Sequence, residues 1–432
     1  MQAEGRPTRQ LSSPSATAAP ASVRVRQLLL LVTPGVAPRR HRRAAAMAQP
    51  LAAASGPHVW RGPELAAEPS RWRYTLNAAE LDALGAAADA VAGRDLAGMT
   101  RADVALSVRA PRGPPAPCAL LRAEPRVQGE LGARLDAVRA ELLSGCGLAL
   151  LRGLPVASWG AAKSAAAFWA LGAALGTPLP QNKAGHVLGH VKDLGADPAL
   201  PTTRLYTTAA AQPYHTDSAD VVGLLCLAQA RSGGDSHVAS SPAVFNAVLR
   251  ERPHLAALLA QPFAWDRKGE VPPGCDPWFH VPVFCRSPAG RVVSMYDRSF
   301  INAAQARFAG REGGVERLTP AQVEALDAAD AAAASDALRL DMRLEPGDVQ
   351  LLHSHVTWHS RGAFSDGPGA GGRSSRHLLR LWLAPPPQEA WELPAAFAPR
   401  YGNVARDAQP PRGGIRVAGV ALCAPLTAVV PV

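Results

Sequence analysis

After Gln181 glycines, prolines and short apolar runs dominate to Cys285, with further short strand-like runs from Leu338 to Leu383, and this texture constrains the fold more than any other feature. Residues 224–227, 236–239, 338–344, 349–352, 356–360 and 377–383 each suit a strand and are too short for a helix. Arg231-Ser232-Gly233-Gly234-Asp235 and Glu345-Pro346-Gly347-Asp348 read as tight turns. Residues 278–284 and 291–296 read as a strand pair around a turn at 287–290. Helices belong mostly to the N-terminal side. Asn77 with Glu80 three positions on is a cap signature for a helix towards Val91. Residues 130–143 and 163–175 have helical periodicity, 148–153 form a buried strand, and Ser241-Pro242 opens a helix to Leu249. Thr319-Pro320-Ala321-Gln322 caps another helix, to about Ala331. Many short strands with helices at one flank predict a β-rich α+β fold, a sandwich or jelly roll. The Pro-rich stretch after residue 384 is expected to wrap the surface.

Charge excludes less than it first suggests. The formal net charge is +10, but residues 1–46 hold eight arginines and one acid, so the remaining chain carries only +3. A basic tail of this kind does not imply a nucleic-acid partner. Being rich in Arg, Ser and Ala and nearly free of acids, residues 1–46 read as a targeting-like segment, for a chloroplast or mitochondrion; otherwise they are a disordered tail of an intracellular, cytoplasmic protein. Six scattered cysteines without a C-x-x-C pair favour reduced thiols. No apolar run approaches the roughly 18 residues of a membrane span. A homo-oligomer is compatible with the sequence.

The chemistry enters at Tyr214-His215-Thr216-Asp217-Ser218. On a strand, His215 and Asp217 face the same side. An imidazole and a carboxylate so placed are two of the three ligands of a 2-His-1-carboxylate site, which holds Fe(II) and leaves positions open for a co-substrate and O2. The second histidine must come from a distant strand. His353, His355 and His359 share one parity and are the candidates. His359 is preferred, because Arg380 follows 21 residues later on a strand, and a guanidinium near the metal can fork onto a dicarboxylate. His353 and His355 then read as half-buried, hydrogen-bonded strand residues.

These residues together make the sequence resemble the taurine dioxygenase-like (TauD/TfdA) family of Fe(II)- and 2-oxoglutarate-dependent oxygenases, from about Gly147 to Ile415. The likeness is densest at 214–227, 232–236, 346–350 and 376–383. It implies a double-stranded β-helix of the clavaminate synthase-like kind, with residues 126–420 as the oxygenase domain, 47–125 as a lead-in with one helix and 421–432 as a tail. It implies His215, Asp217 and His359 as iron ligands, and Arg380 with the Ser236 hydroxyl as the clamp on 2-oxoglutarate. Arg376 falls where relatives hold either the co-substrate or an anionic substrate. The expected activity is oxidation, usually hydroxylation, of a small polar or anionic molecule, with release of succinate and CO2. Lys183, His186 and Arg376 are the candidate substrate contacts. The alternative is a jelly-roll metal enzyme or metal-binding protein that is not an oxygenase.

Overall fold

The computed structural model describes residues 51–92, 129–182, 186–272, 274–366, 376–386 and 388–401. Two antiparallel-rich sheets organise them. The larger contains β1 (Arg73–Thr75), β2 (Leu148–Arg152), β14 (Val349–His353), β6 (Val221–Ala228), β17 (His377–Ala384) and β3 (Thr177–Pro178) in that spatial order, with β4 (Leu188–Lys192) also pairing β17. The smaller is ordered β13 (Arg339–Met342), β8 (Ser236–Ser240), β15 (Thr357–Arg361) and β5 (Gln212–His215).

Period-two alternation assigns the two faces of the larger sheet. On β17, Leu379, Leu381 and Leu383 pack outward with Phe168 and Trp169. They lie under the helices Glu130–Ser144 and Val156–Leu175, each large apolar side chain buried there stabilising by roughly 2 kcal/mol. Leu378 and Trp382 face the other way, against Val222, Val238 and Leu352, and form the filling between the sheets. Arg380 has their parity, so the strand points a guanidinium into the molecule.

Residues 241–335 are inserted between β8 and β13, which nevertheless pair directly, with Arg339 opposite Ala239. The insert holds the helices Ser241–Glu251, Pro253–Leu259, Arg298–Phe308 and Pro320–Ala334 and the hairpins β9 (Pro262–Asp266) with β10 (Trp278–Pro282) and β11 (Phe284–Arg286) with β12 (Val292–Ser294). Residues 278–284 are therefore not one strand paired across 287–290. The run breaks at Val283, and its first half pairs with a segment whose own strand signal is weak. Asn77 and Glu80 form the expected reciprocal cap, each bonding the other's backbone N–H at 2.9 Å, and the helix Ala78–Ala92 follows. Thr319 and Gln322 form a second capping box.

The segment after residue 384 does not merely wrap the surface: Trp391, Leu393, Phe397 and Tyr401 are buried in the core of the insert. The described cysteines Cys146, Cys226, Cys275 and Cys285 are free thiols. No helix among the described residues is long and apolar enough to cross a membrane.

Candidate metal centre and co-substrate pocket

β15 lies antiparallel between β8 and β5, and His359 stands directly opposite His215. Their rings are 4.1 Å apart centre to centre. Asp217, two residues beyond His215, turns its carboxylate to them, with Oδ2 3.6 Å from His359 Nε2. One ligand atom from each of the three lies within 4.8 Å of the others, and all three residues are buried. Trp358, on the opposite face of β15, stacks on Tyr296 at 4.3 Å and bonds Ser294 Oγ at 3.0 Å. That packing holds β15 so that His359 points inward.

The protonation states suit a cation. His215 Nδ1 is 2.9 Å from the Pro213 carbonyl, which can only accept, so Nδ1 donates there, and Nε2 accepts from the Gln212 side-chain amide at 2.9 Å, a bond that a metal at Nε2 would replace. Burial, aided by the His215 ring and opposed by Asp217, pushes the His359 imidazole down to about 3, so it stays neutral. Burial would raise the Asp217 carboxyl, but Arg380, His359 and His215 outweigh it and hold it below the ordinary carboxylate range. Asp217 Oδ1 accepts from Arg380 Nη1 at 3.1 Å, while Oδ2 is buried without a hydrogen-bond partner. A carboxylate oxygen so placed beside two imidazoles fits Fe(II).

The His359 shift has a measurable consequence. Its unfolded value is 6.5, so as pH falls from there towards 3 the unfolded chain takes up a proton that the folded chain refuses. Stability is therefore lost across that window and is fully present above it. Thermal melts of iron-free protein should show a steeper acid-side loss of Tm in the wild type than in His359→Gln. Parallel curves would rule out this titration.

The structure separates the two arginines expected near the co-substrate. Arg380 lies at the metal centre: besides Asp217 it donates from Nε to Gln181 Oε1 at 2.8 Å, and its guanidinium lies 4.8 Å from the Tyr206 and Trp382 ring centres. Gln181 is fixed by donating to the Val187 and Arg380 carbonyls. Arg376 lies instead over the Gly233-Gly234 turn, with Nη2 3.5 Å from the Gly234 carbonyl. Both glycines have positive φ, and a Cβ on Gly234 would come within 2.9 Å of Arg376 Nε. Ser236, which follows this turn, is the register partner of Arg361. Arg361 and Arg376 both pack on Phe364, at 4.9 and 5.2 Å from its ring centre. Burial, then the neighbouring Arg376, lowers Arg361 to about 10.

Other expected contacts fall elsewhere. His186 bonds Asn182 and is not among the residues lining the cavity at the metal. Lys183 lies outside the described residues. His353 and His355 are fully buried rather than half-buried, His355 Nε2 is 3.1 Å from Asp220 Oδ1, and among the described residues the group that could hold a metal ion contains His359 and neither of them. Sequence reading passed over Arg204 and Phe300, which line the metal-side cavity, and Arg400, which bonds its Ser218.

The profile of the family "Taurine catabolism dioxygenase TauD, TfdA family" matches residues 115–382. The chain belongs to this family. FR-33289 synthase of Streptomyces rubellomurinus is 37% identical over 244 residues, covering 56% of this chain and 70% of the relative. Uridine-5'-phosphate dioxygenase of an Amycolatopsis species is 32% identical over 233 residues, 51% of this chain and 80% of that protein. An asparagine oxygenase solved with Fe(II), 2S,3S-3-hydroxyasparagine and succinate shares the fold, with a TM-score of 0.52 at 19% identity over 72% of this chain and 93% of the other. The enzyme is thus an Fe(II)- and 2-oxoglutarate-dependent dioxygenase that oxidises a small molecule, with the jelly-roll core expected of it. A non-oxygenase jelly roll is set aside.

Proposed function

We propose that His215, Asp217 and His359 hold the iron, that Ser236, Arg361 and Arg376 hold the distal carboxylate of 2-oxoglutarate, and that the substrate is a small anion entering from the side of Arg204 and Phe300. The observation that carries the metal assignment is the buried, unpartnered Oδ2 of Asp217 facing two imidazoles. The co-substrate assignment rests on spacing. Arg361 is one pleat pair beyond His359 on β15, about 6–7 Å along the strand. That is about the reach from the chelating end of a five-carbon diacid to its far carboxylate.

Arg380 is too close to the metal for that task. Its bond to Asp217 Oδ1 leaves Oδ2 as the single coordinating oxygen, so it orients the ligand. When bound, Fe(II) with 2-oxoglutarate and O2 supplies the oxidation of a C–H bond and releases succinate and CO2. The chain's own residues position the reactants and keep water out; Trp265 and Trp382 line the cavity with Phe300 and give it an apolar side. An anionic substrate agrees with the cations at the cavity and with the phosphate ester named for the Amycolatopsis relative.

Anaerobic addition of Fe(II) and 2-oxoglutarate to the enzyme should give a visible charge-transfer band that saturates at one equivalent of each. Iron uptake without any band would defeat the chelate assignment. The basic segment before Met47 supports organelle import; a reporter fused to residues 1–46 that stays diffuse in the cytosol removes that reading.

A further inference from the structure

The cavity beside the metal is lined by Arg204, Ser218, Ser299 and Phe300 as well as by Asp217 and Arg380. Behind this lining stand more cations than the iron site needs. Arg400 is buried, yet its hydrogen bonds from Nε and Nη2 both end on the neutral Ser218 hydroxyl, at 3.2 and 3.1 Å. Among the described residues it has no carboxylate partner. Arg267 is likewise bonded only to carbonyls, of Asp276 and Pro399. Lys268 donates to the carbonyls of Pro201 and Ser299, and its ammonium lies 5.1 Å from the Phe300 ring centre. Arg204 lies 5.3 Å from the same ring centre. Among the described residues, only Arg204 of these four has an ion pair, with Glu270 at 3.2 Å.

A fork of two N–H groups closed on one hydroxyl is a poor use of a buried charge. Lys268 also has positive φ, +51°, and no other non-glycine residue among those described does. It is a central residue, with Gly269, of the turn in which the Glu270 N–H bonds the Arg267 carbonyl, and that turn sets its backbone. The nearby acids are already engaged: Asp297 caps the helix Arg298–Phe308, and Asp266 takes Arg307. Burial lowers Arg400 to about 10 despite the pull of Glu270 and Tyr401, with Arg204 and Arg267 adding a smaller repulsion.

We infer that Arg400, Lys268 and Arg204 with Ser218 form a subsite for a tetrahedral dianion, the phosphate or phosphonate group of the substrate. A carboxylate satisfies one guanidinium fork. Three oxygens sharing close to two charges can meet the Arg400 fork, the Lys268 ammonium and the Arg204 edge together. The inference rests on the reading of this cavity as the substrate side, and it places the anion close to the ligand Asp217, so the oxidised carbon would lie near the phosphorus group.

The test is binding of phenyl phosphate, phenylphosphonate, benzenesulfonate and benzoate to the iron-free full chain, read by calorimetry and by quenching of tryptophan fluorescence. At least one of the two dianions should bind about ten-fold or more tighter than the monoanionic sulfonate, and which one does so distinguishes ester from phosphonate. Arg400→Gln and Lys268→Gln should each remove most of that advantage over the sulfonate, whereas benzoate, which one guanidinium fork satisfies, should lose affinity with Arg400→Gln and little with Lys268→Gln. If Arg400→Gln does not fold, Lys268→Gln decides alone. Dianions no better than the sulfonate, or equal in wild type and variants, overturn the inference. The Fe(II)/2-oxoglutarate band of the same proteins reports separately on the iron and co-substrate assignments.

Discussion

Asp217→Ala should produce no succinate above the iron-free blank, and its iron-free form should unfold about 3–5 kcal/mol more easily than the wild type. The two effects have different origins, because the two carboxylate oxygens have different partners. Oδ2 faces the imidazoles and has no other bond, so its removal takes away the anionic ligand. Oδ1 accepts from Arg380, which is buried and otherwise bonded to Gln181. Deleting the carboxylate leaves that guanidinium without its counter-charge in a site closed to water. Asp217→Asn separates the two roles. It keeps an acceptor for Arg380 and should recover much of the stability, but an amide is a weak iron ligand and activity should stay absent. Denaturant titration and a succinate assay on both variants are sufficient. Iron-dependent succinate from the alanine variant at more than a few per cent of wild type would remove Asp217 from the metal site.

The difference between what was readable in the sequence and what was not follows from the range of the interactions. Parity is a local signal, and it grouped His215 with Asp217 and His353 with His355 and His359; in the structure β5 ends at His215, so Asp217 is brought to it by the segment beyond the strand and not by strand alternation. Selecting among the three histidines needed the partner strand: His359 is opposite His215, whereas the chain turns between His353 and Thr357 and carries His355 to Asp220. The caps at Asn77 and Thr319 were legible for the same local reason. The hairpin of Pro262–Asp266 with Trp278–Pro282 was not, since Pro262 and a strand of five residues leave little signal. Arg400 was hidden most completely. It sits in a proline-rich segment that reads as surface, and only the packing of Phe397 and Tyr401 into the insert brings it to Ser218.

Arg380 of β17 and Arg376, which immediately precedes that strand, show the same limit, and they give the second large effect. Arg376 and Arg380 are four apart, so parity alone would give them one face, and nothing local says which meets the Gly-Gly turn before Ser236. The register of β17 against β6, with Arg380 opposite Leu224 and a shift between His377 and Leu378, puts Arg376 at the turn and Arg380 beside Asp217. Arg376→Ala should therefore raise the 2-oxoglutarate requirement by about 100-fold, the loss of one charge-assisted fork worth about 2–3 kcal/mol. Iron affinity should change little. The loss is bounded because Arg361, relieved of its like-charged neighbour on Phe364, remains to meet the carboxylate. Arg380→Ala should show the opposite split. Without it Asp217 is no longer held by Oδ1, so iron affinity should fall about 10–100-fold, as for other groups that orient a metal ligand, with a smaller change in the co-substrate requirement at saturating iron. Succinate kinetics at saturating Fe(II), paired with anaerobic iron titrations, measure both quantities on both variants. A larger co-substrate effect from Arg380→Ala than from Arg376→Ala would return the clamp to Arg380 and put the distal carboxylate beside Asp217, where two carboxylates would then compete for one guanidinium.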